Sequence, residues 1–296
     1  MQTAELSPGK GRLAGRASVL AAALLWSSSG LFVKSHLFDD WPLAQRGILL
    51  AFWRALFAGL VLLPWVRRPR WNWRMLPMTL SFTGMNICFL KSMTLTTAAN
   101  AIWLQCTAPL WVFLWGCTLG RERATRADAV PLCCGLAGTG LILAIELSVV
   151  SAASTGGVLL GLAAGILYAG VVIGLRRLRG ENAAYLVAAN HLVAALLLWP
   201  YYAAGGVRPT AAQLAAVVAF GVLQMGLPYV LFARGLRHVP GHEAALLSLT
   251  EPVLMPLGVW LAWGERPAWW TLSGGGLILA GLVVRYARRE REPNAA

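Results

Sequence analysis

Residues 106–123 read CTAPLWVFLWGCTLGRER and residues 249–266 read LTEPVLMPLGVWLAWGER. Shifted by 143 positions, Thr107 falls on Thr250, Pro109 on Pro252, Glu122 on Glu265 and Arg123 on Arg266. The same register pairs Lys91 with Arg234 and Asn100 with Glu243. The chain therefore reads as a duplication: residues 17–146, a Ser/Gly-rich link VVSAASTGG, then residues 157–286. Ten apolar stretches have or approach the length of about 20 residues that a bilayer core requires. They lie at 17–34, 44–66, 75–93, 97–119, 127–146, 157–175, 183–203, 210–233, 242–263 and 268–286. Five fall in each half, and an odd number of crossings turns the second half over relative to the first. The expected fold is an all-α integral membrane protein of ten transmembrane helices arranged as two inverted five-helix repeats. In transporters, that architecture places the substrate near the midplane between the halves.

Composition agrees. Of 296 residues, 58% are hydrophobic and only 12% charged, against about a quarter charged in a soluble domain, which excludes an ordinary cytosolic enzyme. The net charge of +13 does not point to nucleic acid. A nucleic-acid partner needs basic residues on a water-exposed face, whereas here they sit in short clusters between apolar runs. With the N-terminus inside, 19 of the 25 Lys and Arg residues fall on the cytoplasmic side, five fall outside, and Arg54 lies within a span. This bias puts both termini in the cytoplasm. The first stretch lacks a small-x-small cleavage site and runs through WSSSGLFVK into a charged loop, so it reads as a retained helix. Cys88, Cys106, Cys117, Cys133 and Cys134 all lie in apolar runs without zinc or CxxC spacing and read as small buried hydrophobes. No metal or cofactor is expected. Arg-rich loops without an organelle signal suggest a bacterial inner membrane.

Five segments carry a family resemblance: LLWSSSGLFVK (24–34), FWRALFAGLVLLP (52–64), LTTAANAIWLQCTAPLWVFLWGCTLGRER (95–123), RGLRHVPGHEAALLSLTEPVLMPLGVWLAWGER (234–266) and GGGLILAGLVV (274–284). In order, spacing and duplication the chain resembles the EamA type of the drug/metabolite transporter (DMT) superfamily, with one EamA repeat in each half. Lys91 within the third helix and PLCCGLAGTG (131–140) in place of the GGGLILAG pattern are departures that leave the substrate open. The resemblance implies a basket of helices around a central cavity lined by helices 1, 3, 4, 6, 8 and 9. Helices 5 and 10 would be peripheral, offering lipid-facing surfaces to a monomer or a homodimer. It also implies alternating access that carries small metabolites such as amino acids, often outward.

Polar residues in the spans are the site candidates. Asn100, Trp103 and Thr107 share one face of helix 4 at i, i+3 and i+7. Glu243 and Thr250 do the same on helix 9, with Glu251 about 80° further round. As repeat equivalents, these faces are expected to meet across the pseudo-twofold axis, with interhelical hydrogen bonding as the competing role. Arg54 is too deep in helix 2 to snorkel and is expected in a structural ion pair or on a backbone carbonyl, whereas Lys91 and Arg234 lie near helix ends and can snorkel. Glu251, beside Pro252, suits a proton or a substrate ammonium, or the capping of backbone groups that the proline frees. Pro109, Pro252 and Pro228 remove backbone donors and so make hinges or packing kinks. Trp26 and Tyr168 are near-equivalents in helices 1 and 6. With Trp103 they suit apolar walls or a cation–π surface. Asn86, Gln224 and Tyr229 are further cavity candidates, and His191 suits proton relay or simple hydrogen bonding. Gly157, Gly161 and Gly165 form a face for close packing, and Trp65, Trp71, Trp73, Trp199, Tyr201, Tyr202, Trp269 and Trp270 an interfacial belt.

An intramembrane enzyme fits poorly, because SSSG has no neighbouring base and no carboxylate cluster suits Mg²⁺. A primary pump would need a GxxxxGK[ST] loop, which is absent. The leading expectation is a secondary transporter of a small-molecule substrate, with drug-like cations, vitamins or other amphipathic compounds as alternative cargo. A passive channel is the competing class.

Overall fold

The computed structural model describes residues 8–67, 69–118, 126–149 and 152–291, and its regular structure is helical. Arg68, Arg121, Glu122 and Arg123 lie outside the described residues. Ten long helices run α1 (Gly11–Val33), α2 (Leu43–Trp65), α3 (Met75–Leu95), α4 (Ala98–Thr118), α5 (Ala129–Ser148), α6 (Ser154–Arg177), α7 (Ala183–Gly205), α8 (Ala211–Gly235), α9 (Glu243–Trp263) and α10 (Trp269–Ala287). Among the described residues, nine of these are long and apolar enough to cross a membrane. The tenth, α3, has the length at 21 residues but carries Thr79, Ser81, Thr83, Asn86, Lys91 and Ser92. Its inward packing accounts for that polarity: Met78, Phe82, Asn86 and Leu90 are all buried.

Local chemistry sets the helix ends. Thr97 accepts from the Asn100 amide to start α4, Asn182 from the Tyr185 amide to start α7, and Thr210 pairs with Gln213 in a capping box at α8. Gly206 and Gly264, at φ of 67° and 71°, end α7 and α9 in the left-handed region that glycine adopts without strain.

The two halves interleave. The extensive helix pairs are α3 with α6, α5 with α10, α2 with α7 and α1 with α8, each joining one half to the other. Exchanging the halves maps α3/α6 onto α8/α1 and leaves α2/α7 and α5/α10 unchanged, as an inverted repeat requires. Close approach depends on missing side chains. A Cβ on Gly165 of α6 would sit 2.6 Å from the Leu104 carbonyl of α4.

Prolines interrupt the helices at matched places. In α4 the α-helix stops at Gln105 and resumes at Ala108; in α9 it stops at Ser248 and resumes at Glu251. These positions differ by the repeat offset of 143. Pro109 and Pro252 follow the breaks, and neither can donate to the carbonyl four residues back, at Gln105 and Ser248. In α8 a π-helical stretch, Phe220–Gly226, precedes Pro228 and presses Gly221 onto the Arg54 carbonyl of α2. Thus prolines accompany the departures from α-helix in α4, α8 and α9.

Candidate functional site

At mid-depth the inner helices enclose a polar cluster. Arg54 of α2 is 1% exposed, and its Nη2 donates to Asn86 Oδ1 of α3. Asn86 cannot turn away, because its Nδ2 donates to the Ala51 carbonyl at 3.0 Å. The Arg54 guanidinium lies over the rings of Phe89 and Phe220, 5.9 and 5.4 Å from their centroids. Glu251, Tyr229 and His191 are all within electrostatic reach of it. Glu251 begins the second segment of α9, where the Pro252 break lies beside it. A charge at this depth costs at least about 3 kcal/mol unless it is hydrated or paired, so two opposite charges here mark a functional site by default.

The walls are aromatic. Trp26 of α1 meets Tyr229 and Phe232 of α8 with ring centroids 5.4 Å apart in each case, and Tyr229 faces His191 of α7 at 6.0 Å. Gln224 Nε2 donates to the Trp26 carbonyl at 3.1 Å, fixing α8 on α1. Tyr168 of α6 keeps 40% of its surface accessible. It follows Gly161 by seven residues, and Gly161 packs against Ser92 and Leu104, so Tyr168 shares the inward face. Tyr229, Glu251 and Cys106 lie within electrostatic reach of its hydroxyl.

Ion pairs tie α1 to α9 at both ends of this compartment. Where α1 and α9 begin, Arg12 and Arg16 donate to the two Glu243 oxygens, the Arg12 bond measuring 2.7 Å. Where α1 and α9 end, Lys34 Nζ meets Glu265 at 2.6 Å and also donates to the Thr96 carbonyl at 2.7 Å. Glu265 Oε1 accepts from the Ala98 amide at 2.7 Å, so it caps the start of α4. Lys34 and Glu265 escaped the sequence reading. Their signal was a lysine on the lysine-poor side of the topology, at the end of α1, with an acid at the end of α9.

The expected meeting of the Asn100 and Glu243 faces does not occur. Asn100 sits two residues from Ala98, at the Glu265 end of the bundle, while Glu243 lies 22 residues along α9 from Glu265, about 33 Å away at 1.5 Å per residue. Inversion is the reason: a twofold axis in the membrane plane sends repeat equivalents to opposite faces unless they lie at its centre. Asn100 instead donates to Glu146 of α5 at 2.8 Å and to Thr96, and accepts from Thr271 of α10. Glu146, a carboxylate 4% exposed, also receives Trp270 Nε1 at 3.0 Å. It sits at the last position of its predicted span, which hid its burial. Trp103 lies on Gly275 of α10. Thr107 bonds the Leu104 carbonyl and Trp111, and Thr250 the Leu247 carbonyl. The Pro109 carbonyl accepts from Arg285. Arg54 differs from expectation as well: among the described residues its side-chain partner is an amide, and no ion pair joins it to Glu251. The central cluster thus gathers Trp26, Arg54, Asn86, Tyr168, His191, Gln224, Tyr229 and Glu251, drawing on α2 and α7 in addition to the expected lining helices.

This geometry, a mid-depth polar compartment between inverted halves, has a match among known proteins. The sequence profile of the EamA-like transporter family covers residues 13–144 and 155–286. The chain belongs to the EamA-like transporter family. An uncharacterized transporter of Archaeoglobus fulgidus is 26% identical over 278 residues, covering 92% of this chain and 96% of that one. The uncharacterized inner membrane transporter YicL of Salmonella typhimurium is 25% identical, covering 95% of this chain and 98% of its own. A solved crystal structure superposes with a TM-score of 0.65 at 21% identity, covering 98% of this EamA-family chain and all of the other, which establishes a common fold.

Proposed function

We propose that this EamA-family protein is a secondary transporter that exports small metabolites such as amino acids by alternating access. The observation that carries the reading is the central polar compartment lying between ion pairs that close the α1/α9 seam at both ends. A carrier must expose its site to one side at a time, and such a seam has one closure for each side. The matched breaks in α4 and α9 provide bending points at mirrored depths. The cargo passes unchanged, so no side chain acts as a catalyst. We place the chain in a bacterial inner membrane with both termini in the cytoplasm. The 19-to-5 distribution of Lys and Arg supports this, as does the description of one relative as an inner membrane transporter. Outward leucines of α5 and α10, such as Leu136, Leu147 and Leu272, are 50–52% exposed and suit lipid contact for a monomer or a homodimer.

A second cargo has its own support. Glu251, within electrostatic reach of the Tyr229 ring that meets Trp26, also suits a drug-like cation. Counterflow in proteoliposomes loaded with pooled amino acids, and separately with amphipathic cations, tests both. Saturable counterflow of an amino-acid pool is expected. Flux without saturation or counterflow would replace the carrier with a channel.

A further inference from the structure

Arg54 has the wrong surroundings for a structural charge. A guanidinium carries five in-plane donors that match a carboxylate two at a time. Here one nitrogen is used by Asn86, the Phe89 and Phe220 rings occupy the space over its plane, and Nε has no acceptor. Buried polar atoms of α7 and α8 are similarly unspent. Both ring nitrogens of His191, 0% exposed, lack partners, as do Gln224 Oε1 and Asn190 Oδ1. Among the described residues, the acid within electrostatic reach, Glu251, stands apart from Arg54 instead of bonding to it. Asn86, pinned through the Ala51 carbonyl, holds the guanidinium in place and is a positioning residue.

We propose that Arg54 is the carboxylate-binding residue of the central compartment, taking a cargo carboxylate at the free edge of its guanidinium while Glu251 faces the cargo's ammonium group. The cargo is then a zwitterion whose side chain rests on Trp26, Tyr229 and Phe232. Compartment and cargo are each electrically balanced, so neither charge is left uncompensated at mid-depth. An amine alone would leave Arg54 unpaired, and an acid alone would leave Glu251 unpaired. Selection therefore follows from the penalty for the missing group. This assignment deepens the transport reading of the same site, but binding is measurable without flux.

Thermal unfolding of the purified full-length protein in detergent provides the test, using three matched sets of amino acid, amine and carboxylic acid built on phenylalanine, leucine and threonine. For at least one set the amino acid is expected to raise Tm more than its amine or its acid. Arg54→Gln should weaken amino-acid binding by about 10- to 100-fold while leaving the amine unchanged. Arg54→Lys, which keeps the charge but not the fork, should fall between. Glu251→Gln should give the converse, losing the amine and keeping the acid. If amine and amino acid stabilise equally, if Arg54→Gln weakens both alike, or if no set stabilises the folded wild type, the assignment is overturned. Should binding follow this pattern while counterflow is absent, transport fails and Arg54 keeps its role. Counterflow confined to cargo without a carboxylate would do the reverse.

Discussion

The two ends of the α1/α9 seam use the same kind of bond in different settings. At the Glu243 end, two arginines that remain 46–52% exposed reach across to one carboxylate that is itself 12% exposed, and the contact is between side chains alone. At the Glu265 end, the partners are only 19% and 22% exposed, and each also bonds backbone: Lys34 the Thr96 carbonyl just after α3, Glu265 the first amide of α4. A cation at a helix C-terminus and an anion at an N-terminus both gain from the backbone dipoles. The Glu265 pair is therefore built into four helix ends, while the Glu243 pair lies on top of two. In the proposed orientation the cytoplasmic closure is the weaker one, and cargo enters an exporter from that side.

The largest expected effect separates the ends. Glu265→Ala removes an ion pair and a charged cap together, and a loss of about 2–3 kcal/mol is expected in thermal or denaturant unfolding. Glu243→Ala should cost less, about 1 kcal/mol, because the half-exposed arginines it releases can turn to water. Charge reversal sharpens the contrast. Arg16→Glu with Glu243→Arg restores a side-chain pair and should recover at least half of the loss. Lys34→Glu with Glu265→Lys should recover nothing, since it sets a cation at the start of α4 and an anion on the Thr96 carbonyl at the end of α3. Equal rescue at both ends would erase the distinction.

A smaller effect comes from salt. In about 0.5 M salt the Debye length falls to about 4 Å, which screens exposed charges far more than enclosed ones. The penalty of Glu243→Ala should shrink toward zero, whereas that of Glu265→Ala should persist. Parallel decline would mean that Lys34 and Glu265 are as wet as the arginines.

What the sequence revealed follows the same line between the long-range and the local. The ten apolar runs, the duplication and the proline pair were legible because each is a pattern along the chain. The breaks before Pro109 and Pro252 follow directly from a missing donor. Arg54, Tyr229 and Glu251 could be singled out because polarity inside a span is conspicuous. Their convergence, and the departure of Asn100 and Trp103 toward α5 and α10, could not be read. Which side of a helix faces the centre depends on how the halves interleave, and matched residues of an inverted repeat move apart unless they lie on the axis. The Lys34–Glu265 pair was hidden for a related reason: its partners are 231 residues apart and each resembles an ordinary loop charge.

The mildest expectation concerns the loop that leaves the Glu265 end. Asp39, 57% exposed, accepts from Arg46 at 2.9 Å and is hydrogen-bonded to His36 Nδ1 at 2.9 Å. The His36 hydrogen bond, helped by Arg46, holds its carboxyl below the ordinary value of 3.8. A carboxylate depressed on folding stabilises above that ordinary value, and the contribution drains away as pH falls through the lower, folded one. Solvent screening limits it, so Asp39→Asn should change stability by no more than about 0.5 kcal/mol at neutral pH. Thermal unfolding at neutral pH and again below about pH 3 should show the small difference vanish. A penalty comparable to that of Glu265→Ala would mean that this loop, and not the Lys34 pair alone, fastens the Glu265 end. The ordering of the two closures would then have to be traced to Arg46, whose Nη2 also bonds the Asp39 and Trp41 carbonyls where the chain turns into α2.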